Sequence, residues 1–323
     1  MDRRTVLRNA MVGAGALWTQ MPSIAQGWPT RTVRVIVPYA AGSVPDALAR
    51  SLFDKVQQST GGTFVVENKV GAAGMIGTDL VAKARPDGHT LVVAPSGPLV
   101  TNALLYRKMP YDPIKDIEPV AQIAETLMVL VTANSVAATD IRSLLGEMAS
   151  DRKMSYASPG NGTLGHLAMA YLVSRSGVHV PHAAYPGSPQ IITALMAGDI
   201  HAAVLAPPAV APFVNAGKIK ALAIVGPRRN RLFPAVPTLK EQGVDFDPVA
   251  WFGVATTAGT PKTVIEEMHR SINAGLQSPD VQRAYMAQGL DMVRRTPDQF
   301  KEYIQRELEG WAPVIKANGI VLD

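Results

Sequence analysis

The stretch VRVIVPYAAGSVPD, residues 33–46, is a run of β-branched residues followed by a turn of small residues that ends at an acid. The run predicts a buried strand, and the residues after it predict a helix over 46–58 that places Leu48, Leu52 and Val56 on one face. Two more strands are predicted at 63–67 and 90–94, with a helix between them that ends near residue 84. This alternation is typical of a parallel sheet with helices on both faces.

The rest of the chain repeats the alternation. Strands are predicted at 128–132, 154–157, 201–205, 220–225 and 249–255, and helices at 141–149, 164–174, 191–197, 261–276, 279–288 and 297–316. The proline-rich segment 226–248 predicts a linker with one short helix. We therefore expect an α/β protein with two Rossmann-like lobes and a ligand cleft between them. Lobe 1 is expected at 26–125 and 226–323 and lobe 2 at 126–225, with the chain crossing near 120–130 and 225–250.

Residues 1–25 have the pattern of a secretory signal peptide. Arg3 and Arg4 precede an apolar run that is too short to span a bilayer, and small residues at 23 and 25 mark a cleavage site after Ala25. The paired arginines also resemble a twin-arginine signal. The alternative is an amphipathic helix of a cytosolic protein. The signal predicts a periplasmic protein.

Composition excludes several classes of function. The chain contains no cysteine, so a disulfide, a thiolate nucleophile and a cysteine-based metal site are excluded. The net charge of +5 is mild and no block of lysine and arginine is present, which argues against nucleic acid as a partner. No later segment has the length and apolarity of a transmembrane helix.

Ligands of α/β sheets sit beyond the carboxyl ends of the strands, so the loops after the strands are the candidate sites. The loop 38–46 opens a helix with Gly42 and Ser43, and its free N–H groups would favour an anion. The alternative is a capping box, in which Ser43 caps the helix and Asp46 reaches back. Both interpretations stay open. The glycine-rich loop 71–78 lacks the lysine of a Walker motif and predicts a tight helix entry.

The loop 158–166 is the third candidate. Its glycines fit G-x-G-x-x-G, but no acid lies about 20 positions further on, so a dinucleotide site is disfavoured. A small-anion cradle, with the hydroxyls of Ser158 and Thr163 beside free N–H groups, is the better interpretation. At the start of a helix His166 should stay neutral, and a structural role is favoured. Residues 185–188 form another turn that opens a helix.

Other residues give weaker signals. His179 and His182 have no cluster of acids nearby and make a poor metal site. Trp251 and Phe252 lie on a late strand, where aromatic side chains are usually core, although one ring could face a cleft. No G-x-S-x-G nucleophile elbow is present. The sequence therefore predicts no catalytic residues, no metal and no cofactor, and an enzyme is the disfavoured alternative.

Taken together, these motifs resemble the Bug-type periplasmic receptors of tripartite tricarboxylate transporters. The resemblance runs over nearly the whole chain after the signal. It is carried, in order, by VPY at 37–39, VENK at 66–69, GAAG at 71–74, PDGHTL at 86–91, MPYDP at 109–113, GNGT at 160–163, WFG at 251–253 and AGTP at 258–261. Each motif is modest, and their order and spacing are specific.

The resemblance implies a type II-like periplasmic binding protein that closes on a small carboxylate as a Venus flytrap. It also implies that the protein acts as a monomer and that its partners are the membrane permease subunits of the transporter. The alternative is a ligand-sensing receptor of the same fold that reports to a membrane kinase. The ligand-binding residues that it implies come from the strand-to-helix loops. They are Tyr39, Ala41, Gly42, Ser43, Asp46, Ser96, Ser158, Gly160, Asn161, Gly162, Thr163, His166, Tyr185, Gly187 and Ala206.

The chain departs from the family pattern at several polar positions. It has Ser43 where a second glycine is usual, Gly165 where serine is frequent and Pro186 where a basic residue is frequent. Acids often found in the family are replaced by His201 and Ala206. We therefore expect an intact carboxylate clamp with a less polar distal pocket. The expected ligand is a monocarboxylate or aromatic acid rather than a tricarboxylate.

Overall fold

The computed structural model describes residues 27–175, 177, 179–317 and 319–320, and the expected signal peptide lies outside them. The strands of this part are β1 (Val33–Val37), β2 (Phe64–Asn68), β3 (Thr90–Pro95), β4 (Ile117–Thr126), β5 (Met128–Ala133), β6 (Tyr156–Ser158), β7 (His182–Ala184), β8 (Ala202–Leu205), β9 (Ile219–Val225) and β10 (Ala250–Thr257). The helices are α1 (Val44–Thr60), α2 (Met75–Ala82), α3 (Asn102–Leu105), α4 (Ile141–Ser150), α5 (Leu164–Arg175), α6 (Ser188–Ala197), α7 (Pro207–Asn215), α8 (Lys262–Leu276), α9 (Pro279–Ala287) and α10 (Pro297–Ala317).

The strands form two five-stranded sheets, and each sheet is mixed. The first has the order β2-β1-β3-β10-β4, with β1 parallel to β2 and β3 and with β10 antiparallel to both its neighbours. The second has the order β7-β6-β8-β5-β9, with β5 as the antiparallel strand. The parallel arrangement predicted from the strand–helix alternation thus holds for four strands of each sheet, and one strand of each sheet is reversed.

The reversed strands follow from the two crossings between lobes. Strand β4 ends at Thr126 and β5 begins at Met128. Strand β5 therefore starts beside the edge of the first sheet at which β4 ends. Strand β10 returns in the same way and pairs Phe252 with Pro95 at the end of β3. A strand that enters at the carboxyl ends of its neighbours must run against them. Both crossings thus lie at the edge where the loops after the parallel strands meet.

The first lobe is built on the elements that the opening stretch predicts. Leu48, Leu52 and Val56 of α1 are buried against the first sheet, as expected from their spacing. The helix ends at Gly61, which adopts the left-handed conformation (φ 69°) that favours glycine.

The segment 226–248, expected to be a linker, packs on the second lobe. Phe233, Leu239 and Val244 are buried in the same apolar cluster as the second sheet. Thr238 also bridges to Ile224 of β9. These contacts favour a lobe boundary nearer to β10 than to residue 226, the position expected from the sequence.

A smaller apolar cluster joins the two lobes behind the cleft. Trp311 and Ile315, on the last turns of α10, pack with Leu167 and Ala170 of α5 and with Leu105 of α3. Phe246, in the second crossing, packs at the edge of this cluster. The terminal helix of lobe 1 therefore contacts a helix of lobe 2.

Gly253 allows β10 and α10 to pack closely, and its replacement tests this contact. A Cβ on Gly253 would lie 2.4 Å from the ring of Phe300, which is fully buried. We expect Gly253→Ala to lower the free energy of unfolding by about 1–3 kcal/mol because the core is overpacked. The measurement is urea unfolding. The control is Gly146→Ala, where a Cβ on α4 meets nothing within 4 Å and should be neutral or stabilising. Equal stability of the two variants would contradict this packing.

Candidate functional site

A cavity of about 390 Å³ lies between the two lobes at the carboxyl ends of the parallel strands. Its volume lies within the range of small-molecule sites. None of its lining residues carries a charged side chain. They are Tyr39, Ala73, Pro95, Ser96, Gly97, Asn102, Tyr106, Met128, Pro159, Gly160, Asn161, Gly162, Thr163, Leu164, Gly165, Ala250, Trp251 and Phe252.

The wall on lobe 2 is the loop from β6 into α5. Gly160 (φ 141°) and Gly162 (φ 77°) adopt positive φ angles, which lets the loop turn sharply into the helix. Thr163 Oγ1 donates to the carbonyl of Gly160 at 2.8 Å and closes the turn. This loop faces the cavity through its backbone as well as its side chains.

Three backbone N–H groups of this wall have no acceptor among the described residues: those of Asn161, Leu164 and Gly165. All three residues line the cavity. Leu164 and Gly165 open α5, where the N–H groups of a helix have no intrahelical partner and the helix dipole favours negative charge. The arrangement can therefore bind an anionic oxygen, such as that of a carboxylate, without a cationic side chain.

Gly165 holds α5 close to the second sheet. A Cβ at this position would lie 2.5 Å from the carbonyl oxygen of Val204 on β8. Any side chain at this position would collide with that backbone unless the helix moved. The glycine thus allows the start of α5 to lie where its N–H groups reach the cavity.

A cluster of rings supports the loop from beneath. The rings of His166 and His182 stack with centroids 4.1 Å apart, and Tyr156 stacks on His182 at 4.9 Å. His166 Nδ1 accepts the N–H of Gly162 at 3.1 Å. Ser158 Oγ donates to the carbonyl of Gly160 at 2.9 Å and lies 2.8 Å from His182 Nε2. Ser158 and His166, two of the residues expected in the site, shape the loop but do not line the cavity.

Burial, and secondarily the neighbouring His182, lowers the pKa of His166 to about 4. Burial also lowers the pKa of His182. Both imidazoles are therefore neutral at physiological pH, and His166 Nδ1 can accept the hydrogen bond from the N–H of Gly162. This agrees with the structural role that the sequence favours for His166.

The wall on lobe 1 carries uncharged polar groups and aromatic rings. Tyr39 follows β1, and Ser96 and Gly97 follow β3. Asn102 is the first residue of α3, and Tyr106 comes directly after that helix. Asn102 is 2% exposed, and its Nδ2 donates to the carbonyl of Ala73 at 3.1 Å. Phe252 and Trp251 of β10 also line the cavity. Trp251 is fully buried, as expected for a core residue, and Phe252 is partly exposed.

The expected capping box at the start of α1 is not formed. Ser43 Oγ is buried without a partner among the described residues, and the helix has no side-chain cap. Asp46 instead accepts the N–H of Gly42 at 2.9 Å, the Nδ2 of Asn68 at 2.9 Å and the guanidinium of Arg50. Burial would raise the pKa of Asp46, but these hydrogen bonds outweigh it and the pKa is lowered. The carboxylate thus ties the loop to α1 and β2.

The structure brings only some of the expected ligand-binding residues to the cavity wall. Those that line it are Tyr39, Ser96, Gly160, Asn161, Gly162 and Thr163. Those that lie outside it are Ala41, Gly42, Ser43, Asp46, Ser158, His166, Tyr185, Gly187 and Ala206. Tyr185 donates its backbone N–H to Ser158, and Ala206 precedes α7. The lining residues Asn102, Tyr106 and Met128 were not expected, because no motif in the sequence marks them.

A larger hollow, about 840 Å³, lies between α8 and the start of α10. It contacts Glu118 at the start of β4 and Gly259 after β10, which is the edge of the first sheet opposite to the cleft. Ligands of α/β sheets sit at the carboxyl ends of the strands. The interlobe cavity, with its free N–H groups, is therefore the candidate site.

Comparison with known proteins gives a family match over most of the chain. The family described as the tripartite tricarboxylate transporter family receptor matches residues 48–320. Protein BugT of Bordetella pertussis is 34% identical over 304 residues, which cover 93% of each chain. A Pseudomonas protein described as UPF0065, from the tcbD-tcbE intergenic region, is 32% identical over 314 residues, or 95% of this chain and 93% of its own.

Solved structures confirm the two-lobed α/β fold. The periplasmic binding protein BugD has a TM-score of 0.77 at 29% identity, covering 91% of this chain and 99% of its own. A Rhodopseudomonas palustris protein solved with adipate has a TM-score of 0.79 at 30% identity, with the same coverage. MatC of the same organism, solved with malate, has a TM-score of 0.77 at 28% identity, covering 89% and 99%. Across the described residues of this chain, no helix combines the length and apolarity needed to span a membrane.

The buried histidine gives the fold a pH dependence. Because the pKa of His166 is about 4 in the folded chain and about 6.5 when unfolded, the unfolded state takes up a proton first as the pH falls. The free energy of unfolding should therefore fall by about 3 kcal/mol between pH 7 and pH 4, and His182 adds in the same direction. Urea unfolding across this range measures it. His166→Gln keeps an acceptor for Gly162 and should show a shallower fall; an unchanged slope would contradict the assignment.

Proposed function

The chain belongs to the receptor family of tripartite tricarboxylate transporters, and from this premise we propose that it is a periplasmic solute-binding protein that captures a small carboxylate between its lobes. The observation that carries the proposal is that Asn161, Leu164 and Gly165, whose backbone N–H groups have no acceptor among the described residues, line the interlobe cavity. The proteins solved with adipate and with malate, both carboxylates, support the same class of ligand.

The carboxylate binds at the start of α5 because its charge is matched by hydrogen-bond donors and by the helix dipole. A hydrogen bond to a charged group contributes roughly 1.5–3 kcal/mol. Three such bonds contribute about 4.5–9 kcal/mol. Burial of the apolar surface of the ligand in the cavity has to offset the association costs if binding is to reach the roughly 8 kcal/mol of micromolar affinity. No base or nucleophile is needed, and the histidines beneath the loop act by holding its shape.

The finer proposal is that the ligand is a monocarboxylate or aromatic acid. The lining has no lysine, arginine or histidine, so a second or third carboxylate would lie in the cavity without a counter-charge. Tyr39, Tyr106 and Phe252 instead offer aromatic surface. Adipate and malate are dicarboxylates, and the uncharged wall opposite α5 is the feature that favours a different ligand here.

The proposed cycle is closure of the lobes on the ligand about the two crossings, at 126–128 and 225–250. Residues 1–25 direct export to the periplasm, and the closed receptor, acting as a monomer, delivers its ligand to the permease subunits of a tripartite transporter. The family to which the chain belongs supports this delivery.

The backbone donors are tested by a proline at the first residue of α5. Leu164→Pro removes one free N–H at a position where proline suits a helix, so we expect the affinity for a bound carboxylate to fall roughly tenfold to a hundredfold. Titration calorimetry measures the affinity. The control is Leu164→Ala, which loses the side chain and keeps the N–H. Equal affinities of the two variants would remove this donor from the site.

The class of ligand is tested by calorimetry with benzoate, hexanoate, adipate and citrate. We expect the monocarboxylates to bind more tightly than citrate. Tighter binding of citrate would contradict the finer proposal.

A further inference from the structure

Opposite the start of α5, two polar atoms of lobe 1 approach one small gap in the cavity wall. The gap lies over Gly97, which has no side chain. Asn102 Oδ1 and Tyr39 Oη each lie 3.7 Å from the position that a Cβ on Gly97 would take. All three residues line the cavity. The gap is therefore bordered by one amide oxygen and one phenol.

The orientation of Asn102 is fixed by its own hydrogen bond. Its Nδ2 donates to the carbonyl of Ala73 at 3.1 Å, which leaves Oδ1 on the side of Gly97. The residue is 2% exposed, and no described residue donates to this oxygen. Because no described residue satisfies this oxygen, a ligand that brings a donor to it gains a hydrogen bond.

Tyr39 supplies the complementary group. Its Oη forms no hydrogen bond within the described residues, and it lies 3.2 Å from a Cβ position on Gly74 as well as beside Gly97. Burial, and secondarily the nearby Tyr106, raises the pKa of this phenol. The hydroxyl therefore keeps its proton and remains a donor.

From this geometry we infer that Gly97, Asn102 and Tyr39 form a subsite for a hydroxyl group at the end of the ligand opposite its carboxylate. An alcohol or phenol both donates and accepts, so it can donate to Asn102 Oδ1 while it accepts from Tyr39 Oη. A carboxylate only accepts, and it would meet the oxygen of Asn102 with no donor of its own. The inference rests on the proposed function and names its ligand class, a hydroxylated carboxylic acid.

Two matched series of acids test the subsite by titration calorimetry of the mature chain. The first is benzoate, 4-hydroxybenzoate and terephthalate; the second is hexanoate, 6-hydroxyhexanoate and adipate. We expect the hydroxy acid to bind about tenfold more tightly than the plain acid in at least one series, and more tightly than the diacid of that series.

Two substitutions assign the preference to these residues. Asn102→Leu removes the acceptor, and Gly97→Ala fills the gap with a methyl group in ordinary contact with both polar atoms. Each should reduce the preference for the hydroxy acid to within about twofold of the plain acid. Asn215→Leu, on the exposed surface of α7, is the matched control and should keep the full preference. Melting curves confirm folding, and if Asn102→Leu does not fold, Gly97→Ala decides the result.

The outcomes separate this inference from the proposed function. Plain acids that bind, and lose affinity in Leu164→Pro, with no preference for the hydroxy acid in either series, would overturn the subsite alone. A preference that persists in Gly97→Ala would overturn its assignment to this gap. Binding of none of the six acids would overturn the subsite together with the proposed function.

Discussion

The site depends on how closely α5 approaches β8. At Gly165 a single Cβ would meet the carbonyl of Val204 at 2.5 Å, so only a glycine allows the start of the helix to reach the cleft at its present depth. This close packing places the N–H groups of Leu164 and Gly165 at the cavity. The stacked rings of His166 and His182 then hold the preceding turn in shape. Anion binding is thus a property of backbone geometry, and the lining side chains are left to select the ligand.

The reversed strand of each sheet is as important for the cleft as the close approach of α5 to β8. Because β5 and β10 both enter at the carboxyl ends of their neighbours, the two crossings and the strand-to-helix loops meet at one edge. The cavity is therefore lined by residues next to the crossings, such as Met128 and Phe252, as well as by the loops. A movement of one lobe relative to the other changes the position of these residues together.

Much of the fold could be predicted from the sequence, and less of the site. The run 33–37 and the spacing of Leu48, Leu52 and Val56 are local signals, and local burial confirms them. Pro119 in β4 and Pro212 in α7 argue against regular structure. Strand β4 forms because it is largely buried and pairs with β10, a partner distant in sequence. Asp46 pairs with Asn68 of β2, a partner distant in sequence, so the sequence alone left its role open between a capping box and an anion-binding loop. Asn102 is marked by no motif, and only the fold brings it to the cleft.

The apolar cluster between α10 and α5 affects the chain even without a ligand. If the lobes separated fully, Trp311 and Ile315 would lose their contact with Leu167 and Ala170 and would be hydrated. Hydration of apolar surface is unfavourable at room temperature, so a form in which this cluster separates is less stable by that amount. Exposure of the same surface raises the heat capacity, so the balance between the two forms depends on temperature. The relative position of the lobes is thus set by packing as well as by the ligand.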